Sequence, residues 1–398
     1  MGQVFRRLWP AALYVLIVAA LLGSLALRGW SDTWRPIVPT MAPVFADMRT
    51  VQGAIRSEQL GFDPHFTNPG DPWGRPMNYP GIWLGLAKTI GLDSEHRFLA
   101  FVGLYVGAFV VMLFALLLRY PSGWLLAACC STATFLAVER GNNDLAVFVL
   151  VSVGLMCNRG VIAIGCVLLA SILKLFPIAA SIIWLSKPWR ILLTGLGFCL
   201  YLGWYWPDIV ATMHGVPSSA SLSFGTKSIA AWTNFSVRWW VILLLHVSIG
   251  MVVWRGMRDQ LRRLLSASLT HTFSASFRPD LGKRARLLLG GASIYVLTYA
   301  ISSSWDYRLI FLILCIPALS SASESAVGRA LLVTICVSMF DYWLSRLGIV
   351  GRLGVVAAKS ITFVLLFAIL VECSFAIASS FRAVGRNACG SAERGGAV

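Results

Sequence analysis

Asp47 sits in the stretch FADMRTVQGA, two residues before Arg49 and 20 residues beyond the end of the first long apolar run. A carboxylate there can take a proton from a hydroxyl, or it can be a solvated loop acid partnered by Arg49. Further along, ERGNND (139–144) gathers Glu139, Arg140 and Asp144 in one turn. ILKLFP (172–177) interrupts an apolar run with Lys174, and SSSWDYR (302–308) sets Asp306 and Arg308 on either side of Tyr307. One carboxylate with scattered cations offers a general base and positive charge that can meet an anionic group. There is no D-x-D motif, Walker loop or glycine-rich fingerprint, which argues against a nucleotide-sugar donor. No cofactor is expected, no metal ligands are assigned, and a divalent metal is left open.

The plain alternatives stand beside these readings. Arg308, Lys174 and Arg140 can supply charge to a phosphate, or they can snorkel or pair with Asp306, Asp144 or Glu139. A charge inside a span costs about 3 kcal/mol at the bilayer centre and so calls for a reason. His65 can touch phosphate or sugar, or be incidental. Tyr79, Trp73, Trp305 and Tyr307 can stack on sugar faces or form an interfacial belt.

The elements that carry these residues are apolar. Of 398 residues, 58% are hydrophobic and 13% charged, more apolar surface than a water-soluble chain of this size can hide. Several windows reach the roughly 20 residues of a spanning helix, and none alternates as a barrel strand does. The expected fold is therefore an all-α polytopic membrane protein, one integral domain over 1–398. The net charge of +16 comes in short clusters between apolar runs, as in loops that face anionic headgroups, and not as a nucleic-acid patch. The nine cysteines show no C-x-x-C and read as small apolar residues.

Arg6 and Arg7 precede the first apolar run and are expected in the cytoplasm; that run reads as an uncleaved helix over 9–27. Residues 28–97 are then a long outside loop. Its part 28–78 has five basic and five acidic residues, with five prolines from Pro64 to Pro80. Residues 80–92 are too short to span and are expected to lie at the interface. Residues 255–286 hold eight basic and two acidic residues, the strongest positive-inside signal. The pattern predicts 10–12 spans or half-spans, both termini cytoplasmic, and the polar turns on the outer side around an outward-facing cavity. Membrane lipids are thus expected partners.

An early loop Asp, then GFDP (61–64), then Asn78-Tyr79-Pro80 before an interfacial helix resembles membrane glycosyltransferases of the GT-C class. The likeness is greatest to the bacterial mannosyltransferases of glycosyltransferase family 87. RGNND at 140–144 resembles the family's Gly-Asn/Gln turn, ILKLFP its Lys-x-x-Pro turn, and WDYRLIFLILCIP (305–317) its Tyr-Arg-Leu run ending in Ile-Pro. The likeness covers about 45–317. It departs at NYPG, where the family often has Tyr-Pro-Pro.

This resemblance implies a GT-C-like bundle in a bacterial inner membrane with its active site facing the periplasm. It implies Asp47 as catalytic base. Arg308, Lys174, Arg140 and His65 would lie on the donor phosphate, and Asn78, Tyr79, Asn143, Asp144, Asp306 and Tyr307 on sugar or acceptor. The donor would be a polyprenyl-phosphate sugar, mannose first, and the acceptor a glycan or glycolipid. Two rivals remain open at this level. An O-antigen-type ligase or polymerase would favour an arginine-rich outer loop, whereas 206–238 has only Lys227 and Arg238. A lipid-linked sugar flippase would favour charges deep in several spans and repeat symmetry.

Overall fold

The computed structural model describes residues 2–214, 222–232, 238–268, 282–301 and 303–394. The segments 206–238 and 255–286, expected as loops, lie partly outside the described residues; their described parts are mostly helical, in Trp206–His214, Thr226–Trp232, the end of Trp239–Ser268 and the start of Lys283–Ile301. Among those described, nearly everything is helical. The strands are one antiparallel pair, Ser223–Phe224 with Ser304–Trp305.

Among the described residues, four helices are long and apolar enough to cross a membrane: Leu8–Trp34, Glu95–Arg119, Trp239–Leu265 and Ile349–Ser379. A fifth crossing results if Ala326–Met339 and Asp341–Leu347, bent by 72°, act as one. The expected 10–12 elements thus resolve into few full spans and many shorter helices. Asp144–Met156 and Gly160–Leu173 have 13 and 14 residues, about 20 Å at 1.5 Å per residue, too short for a 30 Å core. Their ends fall where ERGNND and ILKLFP interrupt the apolar pattern.

The segment expected as the first outside loop is shorter than expected and includes two helices. The first helix continues to Trp34 through a bend at Gly29 (φ 77°), a left-handed conformation that costs glycine least. Asp47 lies in the first turn of the helix Ala46–Gln59, not on a loop. The segment expected at the interface forms the helix Ile82–Ile90 and stops at Gly91 in the left-handed region. It is fastened to Ala46–Gln59 by the Lys88–Glu58 ion pair. Gly53, on the same helix, lets the 70–71 backbone approach closely: a Cβ there would meet the Asp71 amide nitrogen at 2.4 Å. That approach fixes the proline-rich segment over the helix bearing Asp47.

Two segments are 3-10 helices of unusual length, Phe176–Trp184 and Asp306–Cys315. Each begins at a polar turn. Their rings join a buried aromatic row, Phe109–Phe148–Phe311–Phe176, with centroids 5.1, 5.8 and 5.4 Å apart. The row packs Glu95–Arg119, Asp144–Met156 and both 3-10 helices against one another, so packing helps to position the polar turns that precede Asp144–Met156 and the 3-10 helices.

Sidedness can be tested directly. Phe66 lies on the proline-rich segment and Glu324 beyond the far end of Ile316–Ser321; both are exposed. In a cysteine-free background, Phe66→Cys should react with an impermeant thiol reagent added to intact cells, and Glu324→Cys only after lysis. Labelling of Glu324→Cys but not Phe66→Cys would reverse the orientation.

Candidate active site

Asp47 opens on a cavity of about 360 Å³ lined by Thr50, Arg75, Asn78, Tyr79, Arg140, Trp305 and Tyr307. The Asn142 amide donates to its Oδ2 at 2.6 Å, and Arg75 lies 3.6 Å from its Oδ1. Arg75 is anchored elsewhere: it donates from Nε and a terminal nitrogen to Asp71 at 3.1 and 3.0 Å, and to the Ala46 carbonyl. Asp47 thus has one short hydrogen bond and one distant cation. Its carboxylate keeps oxygen lone pairs for an incoming hydroxyl.

Arg49 does not serve Asp47. Two residues on a helix point to different faces. Arg49 turns to Glu95 at 2.5 and 2.7 Å and covers the Phe98 ring at 4.2 Å. It fastens the helix to the next span. The cation near Asp47 is Arg75, which the sequence reading missed; an arginine in a proline-rich segment gives no periodicity that aims it.

A second cavity of about 160 Å³ shares Asn78, Tyr79, Trp305 and Tyr307 with the first. It holds Lys174 and Arg308. Both face one fully buried carboxylate: Asp144 Oδ1 is 3.1 Å from Lys174 and Oδ2 is 3.3 Å from Arg308 Nε. Arg308 also donates to Ser304 Oγ at 2.9 Å and covers the Phe176 ring. Lys174 covers the Tyr79 ring at 4.7 Å. Two cations share one anion, so the group has one positive charge in excess. Apolar Pro80, Leu175, Phe176, Ile209 and Ile301 surround it.

The ERGNND turn joins the two cavities. Gly141, at φ 53°, ends the helix Thr132–Arg140. Asn142 then spends its amide on Asp47 and its oxygen on the Asp144 backbone nitrogen at 2.8 Å. Asn142 is the second group the sequence reading passed over, although it stands between two that were chosen. Asn143, chosen for sugar, is fully buried with neither amide atom hydrogen-bonded. Arg140 belongs to the larger cavity and not to the pair on Asp144. It contacts Glu139 at 3.3 Å and the Pro39 carbonyl at 3.0 Å.

Two chosen residues lie apart. His65 bonds the Met77 carbonyl through Nδ1 at 2.8 Å and closes its own loop. Asp306 turns away from Tyr307 into a buried group in which Lys359 binds Asp306 at 2.7 Å and Asp341 at 2.5 Å. This group braces the far side of the Trp305–Tyr307 wall, because Lys359 also donates to the Ser223 carbonyl beside the strand pair. Asn78, Tyr79 and Tyr307 do meet at the wall common to both cavities. Burial, then the Asp47 charge, holds the Tyr79 phenol well above its ordinary pKa, so it stays protonated.

The Lys359 group has a stability consequence. Removing one partner of a buried pair leaves an uncompensated charge, which costs about 3–5 kcal/mol. Lys359→Met should therefore lower thermal stability in detergent sharply. The triple change with Asp306→Asn and Asp341→Asn should recover most of it. Equal melting of Lys359→Met and wild type would show that the group carries no stabilising role.

Among the described residues, no group of three or more His, Cys, Asp or Glu converges as metal ligands. Compared with known protein families, curated proteins and solved structures, the chain matches none.

Proposed function

We propose that the chain is an inverting membrane glycosyltransferase that moves a sugar from a polyprenyl phosphate to a glycan or glycolipid on the outer face of a bacterial inner membrane. The observation that carries this reading is the pairing of the two cavities: a lightly restrained carboxylate in one, an excess of positive charge in the other, and an aromatic wall common to both. The larger volume, 360 Å³, falls in the range of roughly 300–1,000 Å³ typical of small-ligand sites.

In this reading the acceptor hydroxyl enters beside Asp47, which takes its proton. The hydroxyl oxygen attacks the anomeric carbon from the face opposite the phosphate, held at the wall of Asn78, Tyr79, Trp305 and Tyr307. The carbon–oxygen bond to phosphate breaks, its electron pair stays on the phosphate, and Lys174 and Arg308 receive the added charge. The single displacement inverts the anomeric centre. Apolar residues around the smaller cavity suit a lipid tail, which ties the donor to the membrane and sets the depth at which a base is useful. Mannose is the sugar proposed first.

The test is a deletion strain whose lipids and envelope glycans are compared with wild type by mass spectrometry. The reading expects loss of one sugar from an outer-face saccharide, with the polyprenyl-phosphate sugar accumulating. An unchanged saccharide profile, or loss of a whole oligosaccharide in one step, would overturn it.

A further inference from the structure

A third charged cluster lies at the end of the molecule remote from both cavities. The helix Trp239–Ser268 starts near the cavity side, since His246 hydrogen-bonds Tyr299 close to the end of Lys283–Ile301. Arg258 follows Trp239 by 19 residues, about 29 Å along an α-helix, which matches the thickness of a hydrocarbon core of about 30 Å. On the parallel neighbour Ile349–Arg394, Lys359 lies near the cavities and Glu372 lies 13 residues further on, about 20 Å away. The cluster therefore sits at headgroup depth in the leaflet opposite the cavities.

Its chemistry is unusual for a structural ion pair. Glu372 is fully buried and accepts Trp254 Nε1 at 2.7 Å, Arg258 Nε at 3.2 Å and Arg262 Nε at 2.7 Å. Each guanidinium meets the carboxylate through Nε, and its terminal nitrogens have no hydrogen-bond partner among the described residues. The Arg258 and Arg262 side chains are 42% and 52% exposed. Beside them Trp254 and Phe375 stack at 4.8 Å, and Phe375 remains exposed. One anion set against two cations leaves a positive charge, with an open donor fork beside an aromatic face.

We propose that this notch binds an anionic phospholipid. The forks of Arg258 and Arg262 hold the headgroup phosphate, and the glycerol and upper acyl chain lie on the Trp254–Phe375 pair. Glu372 is the positioning residue: by accepting both Nε groups it turns the terminal nitrogens outward. An arginine fork suits phosphate oxygens better than a lysine point charge does.

The test is native mass spectrometry of the full chain released from vesicles of phosphatidylglycerol or phosphatidylcholine. Wild type should retain phosphatidylglycerol about tenfold more than phosphatidylcholine, a difference of about 1.4 kcal/mol. Phosphatidylglycerol should raise its melting temperature, and inorganic phosphate should not. Arg258→Gln with Arg262→Gln should abolish the preference. If that pair leaves Glu372 too costly to fold, the triple change with Glu372→Gln removes the buried charge and should likewise show no preference. Equal retention of the two lipids by wild type, or undiminished preference in the triple variant, overturns the proposal. An equal stabilisation by inorganic phosphate also overturns it, because it would mark a free-anion site.

Discussion

Asp47→Asn should fold, bind donor within a few-fold of wild type, and lose transfer by roughly 10² or more in kcat. The geometry explains why the fold should survive. An asparagine oxygen at the same place can still accept the Asn142 amide. Arg75 keeps both bonds to Asp71 and its bond to the Ala46 carbonyl, so no cation is left unpaired. What disappears is a group able to hold the acceptor proton. A single-turnover assay with purified variant and labelled polyprenyl-phosphate sugar reads this directly. Near-wild-type transfer by a folded Asp47→Asn would remove the base from this residue. Nearby acids are poor substitutes: Glu58 is engaged with Lys88, and Asp63 accepts the His65 backbone nitrogen at 2.9 Å.

Arg308→Ala should weaken donor binding by about 30- to 10³-fold, or roughly 2–4 kcal/mol, while acceptor affinity changes little. Arg308 gives Nε to Asp144 and a terminal nitrogen to Ser304. Removing it cancels the excess positive charge and leaves Asp144 neutralised by Lys174 alone. Arg308→Lys restores the charge but not the planar fork, so it should recover only part of the affinity. Direct titration of donor against each purified variant separates these outcomes. Unchanged donor affinity in a stable Arg308→Ala protein would move the phosphate elsewhere. Asp144→Asn is a different experiment: it leaves two buried cations facing each other, and should destabilise the protein before it informs on binding.

The sequence made the chemistry-bearing turns visible because each interrupts an apolar run. Lys174, Asp144 and Arg308 stand out for the cost of a charge at such places, and they do come together. Their mutual distances were not legible, because three turns 30 to 164 residues apart are brought together by packing between distant elements, the aromatic row among them. Asp306 shows the opposite failure. It stands beside Tyr307 in sequence, yet neighbouring residues of a helix diverge, and its carboxylate finds Lys359 on a distant helix. Arg49 fails likewise, because proximity in a presumed loop became opposition on a helix. Of the 10–12 spans or half-spans expected, four or five are long apolar helices among the described residues, and shorter apolar helices such as Asp144–Met156 are largely buried in protein, because apolar composition marks burial in protein as readily as burial in lipid.

The 3-10 winding of Asp306–Cys315 gives the chain extra reach. At about 2.0 Å per residue its ten residues cover about 20 Å, against about 15 Å for the same stretch as an α-helix. The difference of about 5 Å is one α-helical pitch. Were the segment rewound into the tighter-rising form with its far end fixed, Arg308 would retreat from Asp144 by several ångströms and rotate off axis. The ladder spacing of an apolar segment therefore sets the depth of a charge, and substitutions at Leu309–Cys315 that touch no polar group can still detune the cation pair.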